Sequence, residues 1–184
     1  MISQREIGKS WDRLMQSHGF KRMKKSLKSH YISSDFSVLE IDLDYASLMR
    51  EYSPMCSIYL SHLGTTPLDI TNLNTEVESY NYMYFSVSKI VEANTKDAIL
   101  GIRGEDGLYP KEDFSLMLEQ SELFVLPVLK HCLNEEGFLE FYKKYNPKNF
   151  GLVCKDLREW AESKNLKDSN HGFNGCNIME RRFK

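Results

Sequence analysis

Cysteine is scarce in this sequence, and its four copies lie far apart. They stand at positions 56, 132, 154 and 176, so no CxxC pair occurs. No cysteine and histidine have the spacing of a structural zinc site either. We therefore expect reduced, individually buried thiols and no metal site.

Long hydrophobic runs are also missing. The longest strongly apolar stretch, near residues 123–129, is far shorter than the roughly 20 residues that a membrane-spanning helix needs. The N-terminal sequence MISQREIGKSWDRL contains no apolar core and no small-residue cleavage site, unlike a secretory signal. We expect a cytoplasmic protein that does not associate with a membrane.

The familiar motifs of catalytic and cofactor sites do not occur. The sequence contains no HExxH, no GxSxG, no GxxxxGK[ST] phosphate loop and no GxGxxG after a predicted strand. The net charge of −2 does not by itself require nucleic acid or a membrane surface. We therefore predict no catalytic residue, no metal ligand and no cofactor.

What the sequence does contain begins with an amphipathic helix. One helical face carries residues at i, i+4, i+7, i+8 and i+11, namely Ile7, Trp11, Leu14, Met15 and His18. Gly19 follows, where a helix commonly ends through a left-handed residue, and Phe20 is placed to fold back onto the last turn. We expect Trp11 to anchor the core.

A basic stretch and an acidic strand follow this helix. Five cations are concentrated within residues 21–28: Lys21, Arg22, Lys24, Lys25 and Lys28. In residues 38–45, apolar side chains then alternate with mainly acidic ones, which is the clearest strand pattern in the chain. The acidic face of that strand carries Glu40, Asp42 and Asp44. We predict two neighbouring strands, the first basic and the second acidic on one face.

This opening resembles that of an uncharacterised bacterial domain family of unknown function. The resemblance is carried by HGFKR at residues 18–22, the alternating strand at 39–45 and the apolar segment at 124–129, which contains Pro127. In that family a terminal helix ends in a GFKR-like turn and leads into an antiparallel sheet, with a helical pair near the C-terminus. The polar SLKSH of this chain stands where such members usually carry a longer aromatic first strand. The resemblance implies a fold and assigns no catalytic residue.

The acidic row has three interpretations. Glu40, Asp42 and Asp44 follow one another at about 6.8 Å along a strand, so they can form a solvated face or pair with the basic strand alongside. They can also form an acidic patch that binds a protein. A metal-dependent hydrolase using Glu40 and Asp42 is the third, although such sites need closer convergence and ligands from other elements.

Two further groups of residues have both a structural and a binding interpretation. The cations of residues 21–28 can pair across strands with the acidic row, or they can contact the phosphates of nucleic acid. Tyr31 would then offer a stacking platform for a base. The row Tyr80, Tyr82 and Tyr84 can lie under a helix as core, or it can form an exposed aromatic face for a partner.

Residues 46–54 are interpreted as a link in which Pro54 marks the entry to the next strand, and the glycine-containing residues 101–110 are interpreted as a loop.

The rest of the chain predicts a helical C-terminal half. Residues 111–133 carry an apolar stripe in which Pro127 should kink or divide the helix, and shorter helices are expected at 135–145 and 152–163. We predict one α+β domain over residues 1–164. It has an N-terminal helix, an antiparallel sheet of four or five strands, and C-terminal helices packed on one sheet face. Residues 165–184 form a polar, basic tail that we expect to be poorly ordered unless it docks.

Function is predicted from charge rather than from a motif. We expect a non-enzymatic protein-binding domain, of an immunity or regulatory type. Its candidate binding residues are Glu40, Asp42, Asp44, Lys21, Arg22, Lys24 and Lys25. An inhibitor of a nuclease-like toxin would need an acidic face, because it must compete with a polyanion for a basic site. Nucleic-acid binding through residues 21–28 is the alternative, and the oligomeric state is left open.

Overall fold

The computed structural model describes residues 1–23, 26–63, 82–99, 101–146 and 151–164. Its helices are α1 (Gln4–Ser17), α2 (Ser88–Glu92), α3 (Lys111–Gln120), α4 (Leu126–His131), α5 (Glu135–Tyr145) and α6 (Lys155–Ser163). Its strands are β1 (Ile2–Ser3), β2 (Lys21–Arg22), β3 (Ser29–Ser33), β4 (Ser37–Ala46), β5 (Glu51–Leu60), β6 (Tyr82–Ser86), β7 (Ile102–Arg103), β8 (Leu108–Tyr109) and β9 (Gly151–Val153). The predicted α+β class is confirmed.

Helix α1 ends as its sequence predicts. Gly19 has a φ of 85°, a backbone conformation that glycine adopts without steric cost. The N–H of Phe20 donates to the carbonyl of Met15, five residues earlier, at 3.0 Å. This hydrogen bond is the one that defines a Schellman motif. The Phe20 side chain is buried. This turn directs the chain from the helix into the sheet.

One antiparallel sheet organises the described part of the chain. Its strand order is β2–β3–β4–β5–β6–β9, and β7 also pairs with β5. The four strands of five residues or more, β3 to β6, agree with the predicted four or five. Short strands extend the described sheet to seven, while β1 and β8 form a separate two-stranded pair.

Strand β5 begins earlier than the sequence suggests. Pro54 was expected to mark the entry to this strand, but it lies inside the strand and opposite Leu43. On its other side, Pro54 falls between the residues that pair with β7 and those that pair with β6. Its missing N–H therefore interrupts no ladder on that side.

The helices pack on the sheet face that carries Leu39, Ile41 and Leu43. All three side chains belong to one buried cluster that also draws residues from α1 to α6. Trp11 is fully buried in this cluster, and its indole N–H donates to the carbonyl of Lys28 at 3.0 Å. The expectations of a core Trp11 and of C-terminal helices on one sheet face are confirmed.

Pro127 divides the long C-terminal helical segment. A π-helical turn, Ser121–Val125, separates α3 from α4, and Pro127 lies in the first turn of α4. A proline has no N–H to donate, and its ring clashes with the carbonyl four residues earlier. The wider π turn sits just before the proline, where that clash would otherwise fall.

Several smaller features differ from the sequence prediction or lie outside the described residues. Residues 101–110, expected to be a loop, contain β7 and β8, and β9 precedes the last helix. Cys56, Cys132 and Cys154 are buried thiols, as expected. Cys176 and the tail at 165–184 lie outside the described residues. Among the helices that the structure describes, none combines the length and apolarity needed to cross a membrane.

Candidate functional site

The acidic row of β4 lies on the sheet face opposite the helices. We call this the outer face and define it by Tyr31, Val38, Glu40, Asp42, Ser57, Tyr59 and Tyr84. Glu40 is only 1% exposed, Asp42 is half-buried, and Asp44 at the end of the row is exposed. The expectation of a solvated acidic face is therefore wrong for Glu40.

The cross-strand neighbours of Glu40 are not the predicted lysines. In the strand register Glu40 lies between Tyr31 of β3 and Ser57 of β5. Strand β3 begins at Ser29, so the basic residues of 21–28 precede this strand and do not form it. The expected pairing of a basic strand with the acidic row is therefore wrong.

The Glu40 carboxyl group is incompletely satisfied. The hydroxyl of Tyr59 donates to Glu40 Oε2 at 3.2 Å. Glu40 Oε1 and Asp42 Oδ1 are both buried, and the structure gives neither a hydrogen-bond partner. The two carboxyl groups lie within hydrogen-bonding reach of each other. Two adjacent acceptors without a donor are unfavourable in a buried site unless a proton or a cation joins them.

Burial and charge repulsion together favour the protonated form of this pair. Burial, and then the charge of Asp42, raises the pKa of Glu40 to about 7. Burial also raises the pKa of Asp42, against the hydrogen bond from Ser29. Nearby, burial and the carboxylates of the acidic row raise the pKa of Tyr84 to about 12. The pair therefore binds a proton more tightly than carboxyl groups in water do.

The third member of the acidic row has a different role. Asp44 lies beyond the last β4 residue that pairs with β3, so among the described residues no strand pairs with this side of β4 at Asp44. The Tyr45 N–H donates to Asp44 Oδ1 at 2.9 Å. Since an open edge invites another strand, this local bond protects the edge.

The basic cluster is largely used inside the molecule. Arg22 makes a two-pronged contact with the Asp12 carboxylate, and His30 Nε2 contacts the same carboxylate at 2.9 Å. Lys28 donates from Nζ to the Tyr52 hydroxyl at 2.7 Å. Lys21 is exposed, while Lys24 and Lys25 lie outside the described residues. The described part of the cluster therefore does not form a continuous cationic surface.

Asp12 joins α1 to the first two strands of the sheet. The hydrogen bond from Arg22 holds the pKa of this carboxyl well below its usual value, although burial opposes the effect. Burial lowers the pKa of His30, against the attraction of Asp12. The imidazole is fully buried on the helix side of the sheet. These contacts hold α1 against β2 and β3, which is a structural role rather than a catalytic one.

Exposed apolar side chains collect at one end of the sheet. Strands β4 and β5 form a hairpin whose turn carries Leu48 and Met49, which are 100% and 52% exposed. The Gly104 N–H donates to the Arg50 carbonyl at 2.9 Å, which places β7 and β8 beside that turn. We call this region the hairpin end and define it by Tyr45, Leu48, Met49, Arg50 and Leu108.

No family model, curated protein or solved structure matches this chain. The resemblance to a bacterial domain family stays a prediction.

The described residues offer little for metal or nucleophilic chemistry. Within the described ranges, no three potential ligand side chains come together as a metal-binding group. Glu40 and Asp42 belong to a single strand, whereas catalytic metal sites draw ligands from several elements. Burial raises the pKa of the Cys56 thiol, so this cysteine is a poor nucleophile.

The tyrosine row is only partly described. Tyr84 lies on the outer face, opposite Ser57, whereas Met83 and Phe85 enter the main core. The expectation that the row belongs to the core under a helix is wrong for Tyr84. Tyr80 lies outside the described residues.

The hairpin end was missed by the sequence prediction. The sequence interpretation makes residues 46–54 a link that ends where Pro54 enters the next strand. Two alternating stretches flank these residues symmetrically, and that symmetry was the available signal for a hairpin.

Proposed function

We propose that this chain is a non-enzymatic protein-binding domain of the immunity or regulatory type, and that it meets its partner through the hairpin end. The observation that carries the proposal is the clustering of exposed apolar side chains. Six large apolar side chains are exposed in the described residues, and four of them belong to the hairpin end: Tyr45, Leu48, Met49 and Leu108. Clustered apolar exposure of this kind marks interaction surfaces, whereas isolated exposed side chains do not.

The shape and charge of the hairpin end define the partner surface that it fits. A fully exposed Leu48 at the tip of two ten-residue strands projects from the molecule, so it suits an apolar cleft. The exposed charges nearby are Arg50, the carboxylates of Asp44, Glu105 and Asp106, and Arg103, which forms an ion pair with Glu51. A cleft with a basic rim would complement this excess of negative charge and would speed association.

Main-chain pairing with a partner strand is disfavoured at this site. At the edge of β4, the Tyr45 N–H already donates to Asp44 Oδ1, so it is not available to a partner strand. Strand addition would require that bond to break. Side chains of the hairpin end therefore make the contact in this proposal.

The hairpin end replaces the acidic row as the binding site of the predicted protein-binding function. Glu40 is too deeply buried to touch a partner, so only Asp44 of the acidic row remains available. The nucleic-acid alternative loses support, because Arg22 and Lys28 are engaged by Asp12 and Tyr52.

Site-specific cross-linking tests the proposal. A photo-reactive benzoylphenylalanine is introduced at Leu48, and in a matched control at Leu123, which is an exposed apolar residue of the π turn. We expect a discrete cross-linked protein in the native cell from position 48 and none from position 123.

Binding measurements with that purified partner complete the test. Leu48→Asp and Met49→Asp should each weaken the complex by about tenfold or more, since exposed anchors at interfaces dominate affinity. Leu123→Asp should leave the affinity unchanged, and all three variants should melt close to the wild type. Equal affinity of Leu48→Asp and Leu123→Asp for the partner would contradict the proposal.

A further inference from the structure

The outer face contains a charge arrangement that the proposed function does not use. Glu40 and Asp42 project from the same face of the central strand β4, and each has a buried oxygen without a hydrogen-bond donor. No salt bridge reaches either group from the described residues. A buried pair of carboxylates without a cation is stable only if one group is protonated.

One shared proton satisfies both carboxyl groups. When Glu40 is protonated, its carboxyl O–H can donate a hydrogen bond to Asp42. The two oxygens that lacked a partner, Glu40 Oε1 and Asp42 Oδ1, can then bond to each other. Tyr59 continues to donate to Glu40 Oε2. The arrangement matches carboxyl pairs in which close like charges prevent simultaneous ionisation.

The other titratable groups around Glu40 and Asp42 do not supply a positive charge that could take the place of the shared proton. Asp44 on β4 adds negative charge, while burial and the carboxylates keep Tyr84 of β6 neutral by raising its pKa to about 12. The remaining neighbours are Tyr31 of β3, Tyr59 of β5, Cys56 on the opposite face, buried His30, and exposed Lys21 on β2. Burial lowers the pKa of His30 and disfavours its cationic form.

We propose that the outer face is a proton-operated latch, in which Glu40 and Asp42 share one proton while the face is packed and separate when that proton is lost. After deprotonation, two buried like charges repel each other across neighbouring positions of one strand. The packing of Val38, Tyr59 and Tyr31 beside them then loosens, and this small cluster is separate from the main core. Loosening of the outer face does not depend on binding at the hairpin end.

The direction of the pH dependence follows from linkage. The pKa of Glu40 is about 7 in the folded protein, above its usual value of 4.5, so the folded state binds this proton more tightly than the unfolded state. The stabilisation is complete below the unfolded value and is lost as pH rises towards and through about 7. The shift corresponds to a change on the order of 10²-fold in the unfolding equilibrium.

Thermal unfolding from pH 4.5 to 8.5 tests the latch. Glu40→Gln retains an N–H donor for Asp42 but has no titrating proton, and Asp44→Asn is the matched control on the exposed end of the same row. We expect Glu40→Gln to melt roughly 5–10 °C above the wild type at pH 8.5 and close to it at pH 4.5. Asp44→Asn should follow the wild-type pH profile.

Two direct measurements keep the test decisive if a variant folds poorly. The carboxyl carbon resonance of Glu40, assigned by its loss in Glu40→Gln, should titrate near pH 7 in the wild type. Hydrogen exchange in peptides from β3 to β5, corrected for intrinsic rates, should accelerate between pH 6.5 and 8.5 in the wild type only. A Glu40 resonance that titrates near 4.5, or parallel pH profiles for the wild type and Glu40→Gln, would overturn the latch.

Discussion

Asp12 and Glu40 are both buried carboxyl groups, yet their surroundings move their pKa values in opposite directions. Asp12 accepts hydrogen bonds from Arg22, His30 and Gln16, and these donors hold its pKa low. Glu40 receives one bond from a tyrosine hydroxyl and faces another carboxyl group, so burial raises its pKa. At the residue scale, burial raises the pKa of a carboxyl group unless nearby hydrogen-bond donors outweigh it.

Removal of the Asp12 carboxylate should strongly destabilise the fold. Asp12→Ala leaves the fully buried His30 without its Nε2 partner, and His30 Nδ1 already has none. We expect a loss of about 1–3 kcal/mol in the free energy of unfolding, measured by urea denaturation at pH 7, because a buried polar group is left without its hydrogen bond. Asp12→Asn should lose less, because the amide oxygen still accepts a hydrogen bond.

The control for Asp12 is a carboxylate that contacts a histidine at the surface. Glu140 lies 3.0 Å from His131 Nε2, and both side chains are exposed. Glu140→Ala should therefore change the free energy of unfolding by less than about 1 kcal/mol. Similar losses for Asp12→Ala and Glu140→Ala would show that the Asp12 contacts do not stabilise the fold.

The sequence predicted which face each residue of β4 occupies, but not how deeply that face is buried. Alternation of Leu39, Glu40 and Ile41 assigns sides with a period of two. It carries no information on what lies against each side, and acidic residues are usually solvated. Glu40 departs from that tendency because it is buried, and the proposed latch of the outer face depends on this burial.

At the scale of helices and strands, long periodic segments were predictable and short ones were not. Helix α1, strand β4 and helix α5 each have a clear pattern and a recognisable terminus. Strands β2, β7 and β8 have two residues each, too few to show any alternation. Their pairing depends on neighbouring strands, so it follows from tertiary contacts rather than from local sequence.

Two glycines in helices should respond to alanine in opposite ways. A Cβ at Gly137 in α5 would lie 2.1 Å from the backbone oxygen of His131, where α4 and α5 approach closely. A Cβ at Gly8 in α1 would meet only the Leu27 side chain at 3.4 Å. We expect Gly137→Ala to lose about 1–3 kcal/mol in the free energy of unfolding, because the overlap exceeds the gain in helix propensity.

Gly8→Ala serves as the matched control in the same urea experiment. It should be neutral or should gain up to about 1 kcal/mol, which is the propensity difference between glycine and alanine in a helix interior. A stabilised Gly137→Ala variant would show that α4 and α5 are not held in this close contact.

At the scale of the whole molecule, two buried groups give opposite pH dependences. Burial lowers the pKa of His30 below its usual 6.5, so its contribution to stability is lost as pH falls below that value. Glu40 has a raised pKa of about 7, so its contribution is lost as pH rises from about 4.5 towards and beyond 7. Between about pH 5 and 6.5 the two effects oppose each other.

The wild-type free energy of unfolding should therefore change little from pH 5 to 6.5 and should then fall by about 1 kcal/mol between pH 6.5 and 8. Glu40→Gln removes the falling contribution, so its stability should rise up to about pH 6.5 and remain constant above it. Urea unfolding at half-unit pH steps, at constant ionic strength, measures both profiles. A wild-type profile that rises up to about pH 6.5 and stays level above it would mean that Glu40 is already ionised in the folded protein, because only the His30 contribution would then remain.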